Sequence, residues 1–242
     1  MMPALTTPVL ASRMPFKLDF ASGIVTLGSC FADEMGSRLQ ESDFHIEVNP
    51  FGPLYNPASI AEALYRLIED RSIGREDLVK HEDLWHSWHH HGSFSHSTPG
   101  ATLVACNSRI HRAHMALKEA NLLMITFGTA WVFERSAENG ERRVVANCHK
   151  LPPQEFVRRR MTVEEIVALW RPLLETLHAY YPELHLLFSV SPIRHMADGA
   201  HGNQLSKSTL LLAVDELLSL YSPLSTLHYF PAYEIVLDEL RD

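Results

Sequence analysis

Five short apolar runs, each closed by a glycine or a proline, alternate along the chain with segments of helical periodicity. The runs are "GIVTLGS" (23–29), "FHIEVNP" (44–50), "NLLMITFGTAWVFE" (121–134, broken at Gly128), "LHLLFSVSP" (184–192) and "TLHYFPAYEIV" (226–236). Runs of this kind, apolar on both faces and joined through helices, call for a parallel sheet covered on both sides. After the first run, Phe31, Met35 and Leu39 recur at i, i+4 and i+8, with Asp33 and Glu34 in the first turn, where the helix dipole favours carboxylates. Pro57 opens a second helix with Ile60, Leu64 and Leu67 on one face. Thr162 and Glu165 form a capping box ahead of a long helix (162–182), and a further helix covers 203–221. Ligands of such sheets collect at the carboxyl ends of the strands. A site is therefore expected in the loops after residues 28, 49, 127 and 191. The less regular segment between about 71 and 120, rich in His and Trp, reads as an insertion that covers this site.

The 242 residues suffice for one large α/β domain, and no internal repeat or Gly/Ser-rich linker divides them. One domain over 1–242 is expected. A net charge of −8 without a basic stripe argues against a nucleic-acid partner. Three scattered cysteines argue against a disulfide framework and for a reducing compartment. The N-terminal stretch lacks a charged region followed by a long apolar core, and no run approaches the roughly 18 apolar residues of a membrane span. A cytoplasmic address and no membrane span are the expectations.

The junction "TLGSCFADEMGSRL" (26–39) places two nucleophilic residues, Ser29 and Cys30, where a strand meets a helix. A serine on such a turn lies near free N–H groups of the helix N-terminus, which can hold an oxyanion. Gly28 permits the tight turn. A helix N-terminus also activates thiols, yet the plainer reading of Cys30 is a small buried hydrophobe. The segment "HEDLWHSWHHHGSFSH" (81–96) holds six histidines. His86 with His89 or His90 has the spacing of two metal ligands on a helix face, but the H-E-x-x-H pattern is absent, and no metal is assigned. A polar lid over the serine and a solvated loop are the other readings of this cluster. His149, next to Cys148, is expected to line the same pocket or cap a helix.

"GSCFA" (28–32) resembles the defining motif of the GSCFA family, which is similar to the SGNH/GDSL hydrolases. "NPFGPLYNP" (49–57), "HHHGSFSH" (89–96), "TFGTAWVFE" (126–134), "NCHKLP" (147–152) and "SPIRHMADGAHGNQLSKSTLLLA" (191–213) resemble further family blocks in order. The resemblance implies a flavodoxin-like three-layer α/β/α sandwich with a five-stranded parallel sheet. It also implies a serine nucleophile at Ser29, with an oxyanion hole completed by a glycine after the second strand and an asparagine after the third. Gly52 matches that glycine. The third block reads Gly128-Thr129, so Thr129 stands where the asparagine belongs, and its hydroxyl can donate one hydrogen bond. Asn56 and His149 are further expected substrate contacts. No cofactor is implied.

A serine nucleophile needs a base. The resemblance places it on the His of an Asp-x-x-His block after the last strand, and none follows Pro231. A further C-terminal segment is expected to carry it, unless His195 or His201, with Asp198 as orienter, serves instead. The reading at this point is a serine ester hydrolase acting on a small-molecule or carbohydrate O-acyl ester. An O-acyltransferase, a non-catalytic binding protein on the same scaffold and a metal-dependent hydrolase built on 81–96 stand as alternatives. The oligomeric state is left open.

Overall fold

The computed structural model describes residues 7–136, 140–221 and 226–240. In chain order the elements are β1 (Gly23–Gly28), α1 (Cys30–Glu41), β2 (His45–Val48), α2 (Pro57–Glu69), β3 (Leu78–His81), β4 (Leu84–Ser87), α3 (Pro99–Lys118) and β5 (Ala120–Phe127). Then follow β6 (Trp131–Ser136), β7 (Arg142–Val145), β8 (Phe156–Arg160), α4 (Val163–Tyr180), β9 (His185–Val190), α5 (Gly199–Leu220) and β10 (Leu227–Tyr229). Five strands form one parallel sheet in the order β10-β9-β5-β1-β2. With helices on its faces, this is the three-layer sandwich expected.

The period of two along each strand divides the core. Val25, Leu27, Leu123, Ile125, Phe127, Leu186, Phe188 and Val190 point into the main cluster, shared with Ile60 and Leu64 of α2, Ile110 of α3, Trp170 of α4 and Leu210 of α5. Their alternates Thr26, Met124, Thr126, Leu187 and Ser189 face Phe31 and Met35 of α1 across a small void of about 30 Å³. Trp170 stands edge-on to Phe127 and Phe188, with ring centroids 5.1 and 5.5 Å away, and its Nε1 donates to Pro57 O at 3.1 Å. The Thr162–Glu165 capping box forms at the start of α4, with bonds of 3.2 and 2.7 Å.

Two sequence expectations are corrected. The run 121–134 is two strands: β5 ends at Phe127, and β6 leaves for a separate antiparallel sheet, β7-β6-β8. The segment 71–120 is not a loose covering insertion. It contains the hairpin β3–β4 and then α3, a 20-residue helix packed on β1, β5 and α2. The buried stripe of α3 (Thr102, Cys106, Ile110, Ala113, Leu117) is flanked by His and Arg, and includes a threonine and a cysteine, which mask its periodicity. No helix among the described residues is long and apolar enough to cross a membrane.

Candidate active site

Strand β1 lies between β2 and β5, so the chain reverses its direction of travel across the sheet there, and a crevice opens beyond the carboxyl ends of β1 and β5. The motif Gly28–Ala32 occupies this point. Gly28 is required by proximity: a Cβ would fall 2.5 Å from the Thr126 carbonyl oxygen of β5. The loop after β2 ties both strand ends together. Leu54 N donates to Gly28 O at 2.8 Å, and Gly128 N and Thr129 N both donate to Tyr55 O at 2.8 and 2.9 Å. Asn49, buried and at φ +38°, accepts from Gly28 N at 2.8 Å through Oδ1 and donates to Asp33 at 2.5 Å through Nδ2. Asn is among the few side chains that tolerate such a backbone while bonding locally. Burial raises the Asp33 carboxyl above its usual range, against the Asn49 bond and the charge of His91.

The two nucleophile candidates face different surroundings. Ser29 is 1% exposed and serves as the N-cap of α1, its Oγ accepting from Phe31 N at 3.3 Å. Its carbonyl takes the next two amides, Ala32 N at 2.8 Å and Asp33 N at 3.2 Å. Cys30 is exposed, which corrects the expectation of a buried small hydrophobe. It lines a cavity of about 530 Å³ whose wall includes Tyr55, Asn56, Thr129, Trp131, Arg158, His195 and Asp198. Ser29 is not part of that wall. Asn56 holds its place by capping α2, with Oδ1 accepting from Ser59 N at 2.8 Å.

Several expected oxyanion donors are already engaged. The amide of Gly52 donates to Asn49 O at 2.7 Å, because the φ of +73° folds this residue into a tight turn against His91. The amides of Gly128 and Thr129 share Tyr55 O. The Thr129 hydroxyl is bonded to Ser206 Oγ at 3.0 Å and accepts from Trp131 N at 3.2 Å. The amide of Cys30, at the first helical position of α1, has no acceptor within its own helix.

His195 reaches the cavity and His201 does not: His201 is exposed on α5. The His195 ring stands edge-on to Tyr55 at 6.0 Å, and its Nε2 is buried without a hydrogen-bond partner among the described residues. Burial lowers its pKa, as does the charge of Lys207, while Asp198 and the nearby Gly128 carbonyl oppose this. Asp198 does not orient either histidine. Its carboxylate is bound by Arg158, whose guanidinium also lies 4.2 Å over the Trp131 ring. The better partner for that carboxylate is a fixed cation reached from β8 of the second sheet, an element the sequence reading lacked.

Lys207 is a site residue that sequence reasoning missed, as it missed Tyr55, Trp131 and Arg158 of the cavity wall. Lys207 is fully buried, and its Nζ donates to Gly128 O and Ser191 O, each at 2.6 Å, joining the loops after β5 and β9. Burial pushes its pKa down to about 7, against the charge of Cys30. Its neighbours on α5 do similar work: Ser206 Oγ accepts from Ala130 N at 2.8 Å and Asn203 Oδ1 from His195 N at 2.9 Å. The signal was present, since Asn203, Lys207, Leu210, Val214 and Leu217 share one buried helical face.

The histidines of 81–96 divide rather than converge, because 84–87 is a strand and the helical spacing never forms. His86 Nδ1 bonds to Ser95 Oγ at 2.6 Å, His89 pairs with Asp77 at 3.0 Å and His90 bonds to Ser87 Oγ at 2.9 Å. Among the described residues, no three His, Cys, Asp or Glu are grouped to hold a metal ion. His149 joins this cluster instead of lining the cavity: it stacks on His86 at 4.5 Å and its Nε2 bonds to Ser87 O at 2.8 Å. Burial pushes its pKa down to about 4.

A family model described as the GSCFA family matches residues 23–242, from the first residue of β1 onward. The chain belongs to the GSCFA family. No curated protein and no solved structure matches it. The GSCFA pentapeptide is thus the strand-to-helix turn at the switch point, with its serine turned inward as a cap and its cysteine turned outward to the cavity. The later blocks of the GSCFA chain contribute the loops and the α5 face that close around it.

Proposed function

We propose that this GSCFA protein is an ester hydrolase that works through a covalent acyl intermediate on the Ser29–Cys30 turn. The observation that carries the reading is the cavity at the switch point, where a nucleophile at a helix N-terminus shares a wall with an imidazole whose Nε2 is buried and unpartnered. A carbonyl carbon in that cavity would be attacked from the turn, and its oxygen would meet the positive end of α1. The imidazole of His195 is the proton carrier of this scheme. Tyr55, Trp131, Asn56 and Arg158 supply the mixture of aromatic faces and hydrogen-bonding groups that suits an O-acylated carbohydrate. An alcohol acceptor in place of water makes the same site an O-acyltransferase.

One observation favours a second reading, a ligand-binding protein on an esterase scaffold: the amides of Gly52, Gly128 and Thr129 are all engaged. Hydrolysis of p-nitrophenyl acetate and of a peracetylated sugar by the chain and by the double variant Ser29→Ala/Cys30→Ala separates the two. Turnover lost in the double variant supports the hydrolase. Equal rates in both proteins leave only the binding reading.

A further inference from the structure

We propose that the attacking atom is the Cys30 sulfur and that Ser29 only positions it; this rests on the ester-hydrolase reading above.

The two side chains are adjacent in sequence but separated by the geometry of helix initiation. An N-cap residue turns its side chain back onto the first-turn amides, and the next residue projects outward. Ser29 accordingly spends its oxygen on Phe31 N and packs against Gly128, on which a Cβ would lie 3.3 Å from the Ser29 Cβ. Freeing that hydroxyl for attack would cost the cap. Cys30 needs no rearrangement. It already lines the cavity, at the first position of α1, where an anion is favoured by the helix dipole.

The cavity supplies what a thiol needs. His195 lies on the same wall with an unpartnered Nε2. Lys207, buried behind the Gly128 carbonyl, fixes the loop that carries Thr129 of the same wall. The other two cysteines have no such setting. Burial pushes the thiol of Cys106 up to about 12 and that of Cys148 to about 11.

The step balances without a further reactant. The Cys30 thiol gives its proton to His195, and the sulfur forms a bond to the acyl carbon as the carbonyl pair moves onto oxygen. The tetrahedral oxyanion collapses, the carbon–alkoxy bond breaks, and the alkoxide takes the proton from His195. Water then adds to the thioester carbonyl, gives a proton to His195, and the carbon–sulfur bond breaks. The thiolate recovers that proton, and the net change is ester plus water to acid plus alcohol.

The test compares the full chain, Ser29→Ala and Cys30→Ala with p-nitrophenyl acetate, reading the p-nitrophenolate burst and the position of the acetyl group by peptide mass spectrometry before and after neutral hydroxylamine. A thioester is cleaved by that treatment and an alkyl oxyester survives it. The expected result is one hydroxylamine-labile acetyl on Cys30 in the wild type and in Ser29→Ala. Cys30→Ala should lose the burst and on the order of 100-fold or more in turnover. Because Cys30 is exposed, Cys30→Ala removes no core contact, and an unchanged Tm checks that the loss is not one of folding. A hydroxylamine-stable acetyl on Ser29, or an intact burst in Cys30→Ala, overturns the assignment while leaving the hydrolase standing. Acetylation of Cys148 as fast as Cys30 also overturns it, as ordinary thiol chemistry. No adduct on either residue and no turnover dependent on either overturns the hydrolase reading itself.

Discussion

Replacing Lys207 by Met tests how the site is held together. The ammonium is fully buried, and its two bonds of 2.6 Å join the ends of β5 and β9. Burial lowers its pKa from 10.5 to about 7 in the folded chain. Between those values the unfolded lysine carries a proton that the folded lysine has released. Folding stability therefore rises with pH across that window and is lost as pH falls through about 7. Each pH unit inside it corresponds to about 1.4 kcal/mol, so the lysine contributes roughly 2.7 kcal/mol more at pH 9.5 than at pH 7.5. Lys207→Met lacks this contribution and leaves two carbonyls without a donor, at about 1–3 kcal/mol each. Urea unfolding of both proteins, followed by tryptophan fluorescence at three pH values from about 7 to 9.5, reads the difference directly. The wild type should gain on the variant with each step upward. A difference that stays flat would refute the argument, because the folded lysine would then hold its proton as firmly as the unfolded one.

Three further outcomes are expected. Gly28→Ala drives a methyl group against Thr126 of β5, 2.5 Å from its carbonyl oxygen and 2.8 Å from its Cβ, and should cost about 3 kcal/mol, seen as a lowered Tm. Trp170→Ala empties the centre of the core between Phe127 and Phe188 and should cost about 3–5 kcal/mol in a denaturant titration. His149, held neutral down to about pH 4, contributes stability that is complete above 6.5 and is lost as pH falls towards 4. His149→Gln should flatten the acid limb of the stability profile over that range, and an unchanged limb would place the acid sensitivity elsewhere.

Much of the frame was legible from local pattern. Strands at 23–28, 45–48, 120–127, 185–190 and 227–229 fall where apolar runs and their closing Gly and Pro residues placed them, and the capping box at Thr162–Glu165 forms as written. The strand β6 and the helix α3 were harder to see for opposite reasons. Gly128 marks a break in the apolar run, but apolar residues resume beyond it and nothing local shows that the chain changes sheets there. The buried stripe of α3 contains a cysteine and a threonine and is interrupted by charged neighbours, so its period is diluted.

The site divides along the same line. Periodicity and the Gly28–Ala32 motif determined that the turn bearing Ser29 and Cys30 would sit at the carboxyl edge of a parallel sheet, because strand and helix signals are properties of neighbouring residues. Tertiary structure alone decided which of Ser29 and Cys30 faces the cavity, that Arg158 takes Asp198 away from the histidines, and that Lys207 is buried between two loop carbonyls. Those outcomes depend on contacts between residues tens of positions apart. They are set by burial and by competition for hydrogen-bond partners, neither of which exists until the chain has folded.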